Sequence, residues 1–323
     1  MINIKSLVLS GVILSTMVSA AIANPPPWDA NTVNLEIEKL SEGVYAVYDD
    51  RAQELAVKGV PLSTSAGIIV GDDGVLLIDT MMNKRLYEQL IDLVESVTDK
   101  PIKYAVNTSF HGDHSYANYL LSADVEIIQH VNTSQFVKNN FEHDTQWMIS
   151  NFGEGRGIEQ AVAKTGDILI NTNESIVLDL GDKQVLIKDF GFAQTGGDLM
   201  VYAQDAKVLW TGNPIVAGKP GLPWLLDGKL VSTLNTLNAV YDFLPSDAVV
   251  VPGHSLPSDK SAIKWNIDYL TEVKTQVQDA IDNKLSLEQT QAKVTMNEYR
   301  GYALFDWVHP ALNVPAAYQE LSE

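Results

Sequence analysis

The hydrophobic pattern changes period repeatedly along the chain, and each change predicts an element. Leu35-Glu36-Ile37-Glu38 and Val44-Tyr45-Ala46-Val47-Tyr48 alternate with period two, as half-buried strands do, and Gly43 turns between them. Ala66 to Val70 and Val75 to Ile78 are apolar runs joined by Asp72-Asp73-Gly74, a hairpin signal. Leu86, Leu90, Leu93 and Val94 fall at helical spacing. Ile102 to Val106 and Val125 to Ile128 read as strands, and Asn132 to about Ser150 as a polar helix. The second half repeats the style. Ile176 to Leu180 and Gln184 to Ile187 flank Gly181-Asp182 as another hairpin, and Leu199 to Tyr202 and Val208 to Trp210 are further strands. Leu230 to Leu244 reads as a helix, and Ala248 to Val251 as a short, fully buried strand. Ile263, Ile267, Leu270, Val273, Val277 and Ile281 form the core stripe of one long helix. Each half is strand-rich early and helix-bearing later. That suggests two sheets packed face to face with helices outside. No linker separates the halves, so residues 24–323 are expected to form one domain.

Composition narrows the function classes. The chain has 323 residues, of which 46% are hydrophobic and 20% charged, so it can bury a core without covalent staples. There are no cysteines, which removes disulfide scaffolds, thiolate metal sites and cysteine nucleophiles. The formal charge of −19 disfavours nucleic acid and anionic membrane surfaces as partners. At the N-terminus, Lys5, the apolar run Leu7 to Val18 and Ala21-Ile22-Ala23 match a secretory signal peptide over residues 1–23. The run is short of the ~20 residues of a membrane span. Cleavage is expected after Ala23, with Ala20 as second choice, and a cysteine-free exported chain suits the periplasm or a secreted location. No span is expected in the mature chain.

The chemistry concentrates after the strand Ile102 to Val106, in Asn107-Thr108-Ser109-Phe110-His111-Gly112-Asp113-His114. Alternate residues share a face there, so Ser109, His111 and Asp113 can project into one mouth. Gly112 would let the backbone turn so that His114 joins them. Two imidazoles and a carboxylate this close suit Zn²⁺ or a similar ion. Taken alone, the run reads equally well as a solvated loop.

Further landmarks shift that balance. Ile78-Asp79-Thr80 places an acid at an earlier strand end. Thr195-Gly196-Gly197-Asp198-Leu199 and Leu209-Trp210-Thr211-Gly212-Asn213 follow, and Val249-Val250-Val251-Pro252-Gly253-His254 delivers a histidine at the end of a buried strand. In this order the set resembles the metallo-β-lactamase superfamily, over about Leu35 to Glu323. The resemblance implies an α/β fold: an αββα four-layer sandwich of two mixed sheets with outer helices and a metal site along one edge.

Carried over position by position, the resemblance is incomplete. His111, Asp113 and His114 match the family loop His-x-His-x-Asp-His, but Ser109 stands at its first histidine. Gln194 stands where the next family histidine belongs, and Asn213 where the bridging aspartate belongs. His254 matches the final histidine, and Asp79 matches the acid that supports the metal loop. The first ion of a dinuclear site would use Ser109, His111 and Gln194, of which two are poor ligands. The second would use Asp113, His114 and His254, all present. The resemblance therefore implies one metal ion, zinc or another divalent ion, with His111 and Asp113 at the reaction centre. Ser109, Gln194 and Asn213 would then pack beside it or contact substrate. Replacing Ser109 and Gln194 by histidine would be expected to create a second site.

One ion with an open position lowers the pKa of bound water toward ~7 and supplies hydroxide near neutrality. The expected activity is hydrolysis of an ester, lactone, amide or related bond in a small molecule. The alternative is a non-catalytic binding protein that keeps the fold. An iron oxidase reading is disfavoured, because its ligands would fall on Ser109, Gln194 and Asn213. Trp224, in a Pro- and Gly-punctuated loop, is expected to contact substrate or pin that loop. Of the other histidines, His130 is expected to bond backbone, His143 to lie on a solvated helix and His309 to be structural. Oligomeric state is not legible in the sequence.

Overall fold

The computed structural model describes residues 29–60 and 62–323. The expected signal peptide lies outside them. The larger sheet runs in chain order through β1 (Leu35–Ser41), β2 (Val44–Asp49), β3 (Ala66–Gly71), β4 (Gly74–Ile78), β5 (Ile102–Val106), β6 (Glu126–His130) and β7 (Ile168–Ile170). It is antiparallel from β1 to β4 and parallel from β4 to β7. The smaller sheet has the order β12-β11-β10-β9-β8, from β8 (Ser175–Asp179), β9 (Gln184–Lys188), β10 (Met200–Ala203), β11 (Val208–Gly212) and β12 (Val249–Pro252). Among the described residues its one parallel pair is β11 with β12.

The helices are α1 (Ala52–Ala56), α2 (Lys84–Val97), α3 (Gly112–Ser115), α4 (Val131–Phe152), α5 (Leu230–Phe243), α6 (Ser261–Asp282), α7 (Leu287–Lys293), α8 (Phe305–Val308) and α9 (Val314–Leu321). Asn83 caps α2 by accepting from Leu86 N, and Ser286 and Gln289 close a capping box on α7.

Side-chain alternation sorts the strands into layers. In β4, Leu76 and Ile78 face the second sheet, where they meet Val185, Ile187, Val201, Trp210 and Val251. Val75 and Leu77 point the other way and pack with Leu86, Leu90 and Val94 of α2. Both faces are covered, so Gly74–Ile78 reads as an unbroken apolar run. Edge strand β1 instead alternates exposed and half-buried positions. Beyond the second sheet, Met200, Leu209 and Val250 pack with Leu234 and Leu237 of α5 and Ile263, Leu270, Val273 and Val277 of α6. The layers are helix, sheet, sheet, helix, as expected. Trp210 of β11 spans the interface between the two sheets, its Nε1 donating to Ala66 O of β3 at 3.2 Å. Among the described residues no helix is long and apolar enough to cross a membrane.

Candidate metal centre

The centre forms where parallel strands end side by side. β4 and β5 release Asp79 and the Asn107–His114 run from the first sheet, while β11 and β12 release Asn213 and His254 from the second. Asp79 is buried and sits in the left-handed backbone region at φ 60°. That costs energy for a residue with a Cβ, and such strain gathers at functional sites. Its carboxylate accepts from Thr108 N at 2.8 Å, Thr108 Oγ1 at 2.8 Å and His114 Nδ1 at 2.7 Å. The loop is thus held by an acid from the neighbouring strand.

His111 stands at the N-cap position of α3 without a side-chain capping bond, and Asp113 and His114 lie within the helix. Gly112 serves this turn differently from the sequence expectation. Its backbone is not in the left-handed region; instead, a Cβ there would sit 2.2 Å from the Tyr116 ring. Tyr116 Oη in turn donates to Asp144 Oδ2 at 2.6 Å.

Asp113, His114 and His254 meet, their ligand atoms all within 4.8 Å of one another. Asp113 Oδ2 is 3.4 Å from His114 Nε2 and 3.4 Å from His254 Nε2. Two ligands on one tetrahedral zinc, each about 2.0–2.1 Å from it, stand about 3.4 Å apart, so both spacings fit such an ion. The far nitrogens are engaged: His114 Nδ1 donates to Asp79, and His254 Nδ1 donates to Leu62 O at 2.9 Å. Each ring thereby presents Nε2 inward, the tautomer a metal ligand needs. Thr64 Oγ1 donates to Asp113 Oδ2 at 2.6 Å and orients the carboxylate. This donor set fits a divalent ion.

The electrostatics agree. Burial alone would raise the Asp113 carboxyl, but His114, His254 and the Thr64 bond hold it at about 2. Burial lowers His254 below its usual range, which leaves it neutral. Burial also opposes charge on His114, yet Asp113, Asp79 and its hydrogen bonds outweigh this and raise it to about 9. Without an ion, a proton stands on His114 where the ion would bind.

The other half of the site is differently arranged. Ser109 Oγ lies 3.3 Å from His111 Nδ1, and Asn213 Nδ2 lies 2.9 Å from the same nitrogen. The Oδ1 of Asn213 is 3.0 Å from His114 Nε2. His111 Nε2 pairs with Asp227 Oδ2 at 2.6 Å. That carboxylate outweighs burial and raises His111 above its usual range. Gln194 is buried, and its Oε1 has no hydrogen-bond partner among the described residues.

The remaining expected residues lie elsewhere. Trp224 is half-buried and meets Trp307 edge-to-face at 5.5 Å, within the cluster formed with α5, α6 and α9. His130 caps α4 by accepting from Asn132 N at 3.0 Å. His143 is exposed. His309 is buried between Tyr269 Oη and Val294 O, both at 2.8 Å. Sequence reasoning missed Thr64 and Asp227. The first had no signal, being 49 residues from its partner. The second lies three residues beyond Trp224 in a loop already singled out, and a carboxylate there was the available clue.

A profile described as the metallo-beta-lactamase superfamily matches residues 59–254 of this chain. Among solved structures, a metallo-beta-lactamase from Pontibacter korlensis is similar with TM-score 0.57 and 19% identity, covering 74% of this chain and 99% of that one. The VMB-1 structure is similar with TM-score 0.57 and 22% identity, covering 74% and 98%. The DIM-1 metallo-beta-lactamase structure gives TM-score 0.57, 14% identity and coverage of 74% and 97%. At these identities the structures speak for the fold.

Proposed function

The chain belongs to the metallo-beta-lactamase superfamily, and from that premise we propose that it is an exported hydrolase working with one divalent ion, zinc by its donor set. The ion is held by Asp113, His114 and His254, and the substrate is a small molecule with an ester, lactone, amide or related bond. One observation carries the reading: three ligand atoms converge while the outward nitrogens of both imidazoles are already bonded to Asp79 and Leu62 O. An ion there supplies Lewis acidity and makes water a usable nucleophile near neutral pH.

The chain's own residues do the rest. Asp79 and Thr64 keep the ligands aimed, which spares reorganisation when substrate arrives. His111 stands beside the ligands with its ring fixed at both nitrogens, and is the group that takes up or returns a proton. Gln194 brings an amide oxygen without a partner to the buried side, suited to accept a hydrogen bond from a polar substrate group. The signal-like residues 1–23 support export, and purification from periplasm or medium with Asn24 at the N-terminus is the matching test.

The loss of histidine at positions 109 and 194 favours a second reading, a binding protein that keeps the fold without turnover. Metal analysis of the purified protein, followed by a screen with and without zinc against nitrocefin, acyl lactones, thioesters and phosphodiesters, separates the two. Zinc-dependent turnover of any one supports the hydrolase. One bound ion with no turnover of any supports the binding protein.

A further inference from the structure

A continuous polar chain runs from the mouth of the site to its buried floor. Asp227 Oδ2 meets His111 Nε2 at 2.6 Å, His111 Nδ1 meets Asn213 Nδ2 at 2.9 Å, Asn213 Oδ1 meets His114 Nε2 at 3.0 Å, and His114 Nδ1 meets Asp79 at 2.7 Å. A carboxylate only accepts, so the hydrogen between Asp227 and His111 sits on Nε2. In the neutral ring the inward Nδ1 is then the acceptor, and the NH₂ end of the Asn213 amide faces it at 2.9 Å. An amide has one donor end and one acceptor end. Once the NH₂ is drawn to His111, the oxygen must face His114.

The oxygen's surroundings are those of a ligand. It contacts Nε2 of His114, the ligating atom, and it lies so close to Gly253, beside His254, that a Cβ there would be 2.8 Å from it. We propose that Asp227 is a positioning residue which, through His111, orients the Asn213 amide so that Oδ1 becomes a fourth protein donor to the ion held by Asp113, His114 and His254, with water then entering as a fifth ligand. This rests on the one-ion reading above. It gives His111, Asn213 and Asp227 a joint role: the histidine left over from the first metal position steers a neutral oxygen toward the second.

The loop that carries Asp227 is built to hold it in place. Asn266 Nδ2 donates to Ala217 O, Trp265 Nε1 to Gly221 O, Asn313 Nδ2 to Pro223 O, and Asn313 Oδ1 accepts from Leu225 N. Immediately after Asp227, a Cβ on Gly228 would sit 2.6 Å from Ala193 O, so only glycine lets the loop lie this close to the Ala193–Gln194 segment between β9 and β10. Asp227 is therefore placed by α6, by the turn before α9 and by the backbone beside Gln194.

Orientation matters for an amide but not for a carboxylate, whose two oxygens are equivalent. The test is a cycle of Asp227→Ala in two backgrounds, native Asn213 and Asn213→Asp. Co²⁺ affinity is read by chelator competition, and the coordination by the visible Co²⁺ spectrum. In the native background Asp227→Ala should weaken Co²⁺ by about tenfold, the lower end of the range for an outer partner of a ligand, and change the spectrum. In the Asn213→Asp background it should do neither. Equal weakening in both backgrounds would mean Asp227 acts only through its charge, and no weakening in either would mean it does not orient the amide; both overturn the proposal while leaving the one-ion reading intact. An unmutated protein that takes up no Co²⁺ would overturn both. A second measurement needs no variant: nitrogen NMR of the metal-free protein should show the His111 hydrogen on Nε2, and a bare Nε2 would also sink the proposal.

Discussion

His111 and His114 stand on the same short turn, and an aspartate backs each of them, yet they do different work. Asp79 holds His114 from behind, and its inward nitrogen faces oxygen and nitrogen donors from Asp113, His254 and the Asn213 carbonyl end. Asp227 holds His111 from behind, but its inward nitrogen meets the amide NH₂ of Asn213. The same side chain, three positions apart, is a ready ligand in one place and an acceptor for a neighbouring amide in the other. Ligand capacity therefore resides in what each inward atom meets, and residue type alone does not decide it.

The widest gap between the two histidines should appear on removing ligands. His254→Ala takes one of the three inner donors and should abolish metal retention after desalting, whereas His111→Ala should leave about one ion per chain, more weakly held; metal counting on both proteins checks this. An unchanged content in His254→Ala would put the ion elsewhere. Next comes an attempt to rebuild the outer half. Ser109→His with Gln194→His supplies two imidazoles, but the Asn213 amide still points its NH₂ at His111. The double variant should stay near one ion, and adding Asn213→Asp should bring a second. This raises the requirement above the sequence expectation, under which the two histidines alone would suffice.

Asp79→Ala sharpens the comparison from the inner side. It strands buried donors on Thr108 and His114, and breaking a buried pair of this kind costs roughly 3–5 kcal/mol. Denaturant midpoints measure that loss, and ion affinity should fall by about 10–100-fold with it.

The outer half carries a different electrostatic load. Burial raises the Asp198 carboxyl to about 6 from 3.8, against two bonds donated by Thr195. Between those values the folded state keeps a proton that the unfolded state has released, so stability falls as pH rises through this window. The full effect is roughly 3 kcal/mol, and Asp198→Asn should flatten that part of the stability–pH curve. A slope identical to that of the unmutated protein would show that Asp198 is not its source. The smallest contrast pairs two hydroxyls. Thr64→Val removes the 2.6 Å bond to Asp113 and should weaken the ion several-fold, while Ser109→Ala, which loses only contacts of 3.3 Å, should leave affinity unchanged within error. Equal effects in the two would erase the distinction between the halves.

Much of this was readable in advance where the signal is local. Periodicity located β1 to β6, β8 to β12 and the long helices α2, α4, α5 and α6, because apolar spacing reflects which face each element buries. It missed β7, three residues long at the sheet edge, and α1, α3 and α7 to α9, too short to develop a clear stripe. The expected gathering of Asp79, Asp113, His114 and His254 came from the family resemblance of motifs in that order; Asp79 and His254 follow strands β4 and β12, while Asp113 and His114 lie on the turn after β5. Thr64 and Asp227 carry no such mark. Their partners are 49 and 116 residues away, and nothing local distinguishes a threonine or aspartate that will find one.

The sequence by itself determined the layered α/β architecture and which side chains are able to hold an ion, because burial pattern and donor chemistry are properties of residues in order. Only the tertiary structure decided which nitrogen of each histidine looks inward, which end of the Asn213 amide faces the ligands, and that a loop pinned by α6 sets Asp227 behind His111. Those choices depend on hydrogen-bond partners brought together from opposite sheets, and a hydrogen bond has a direction that residue order does not record.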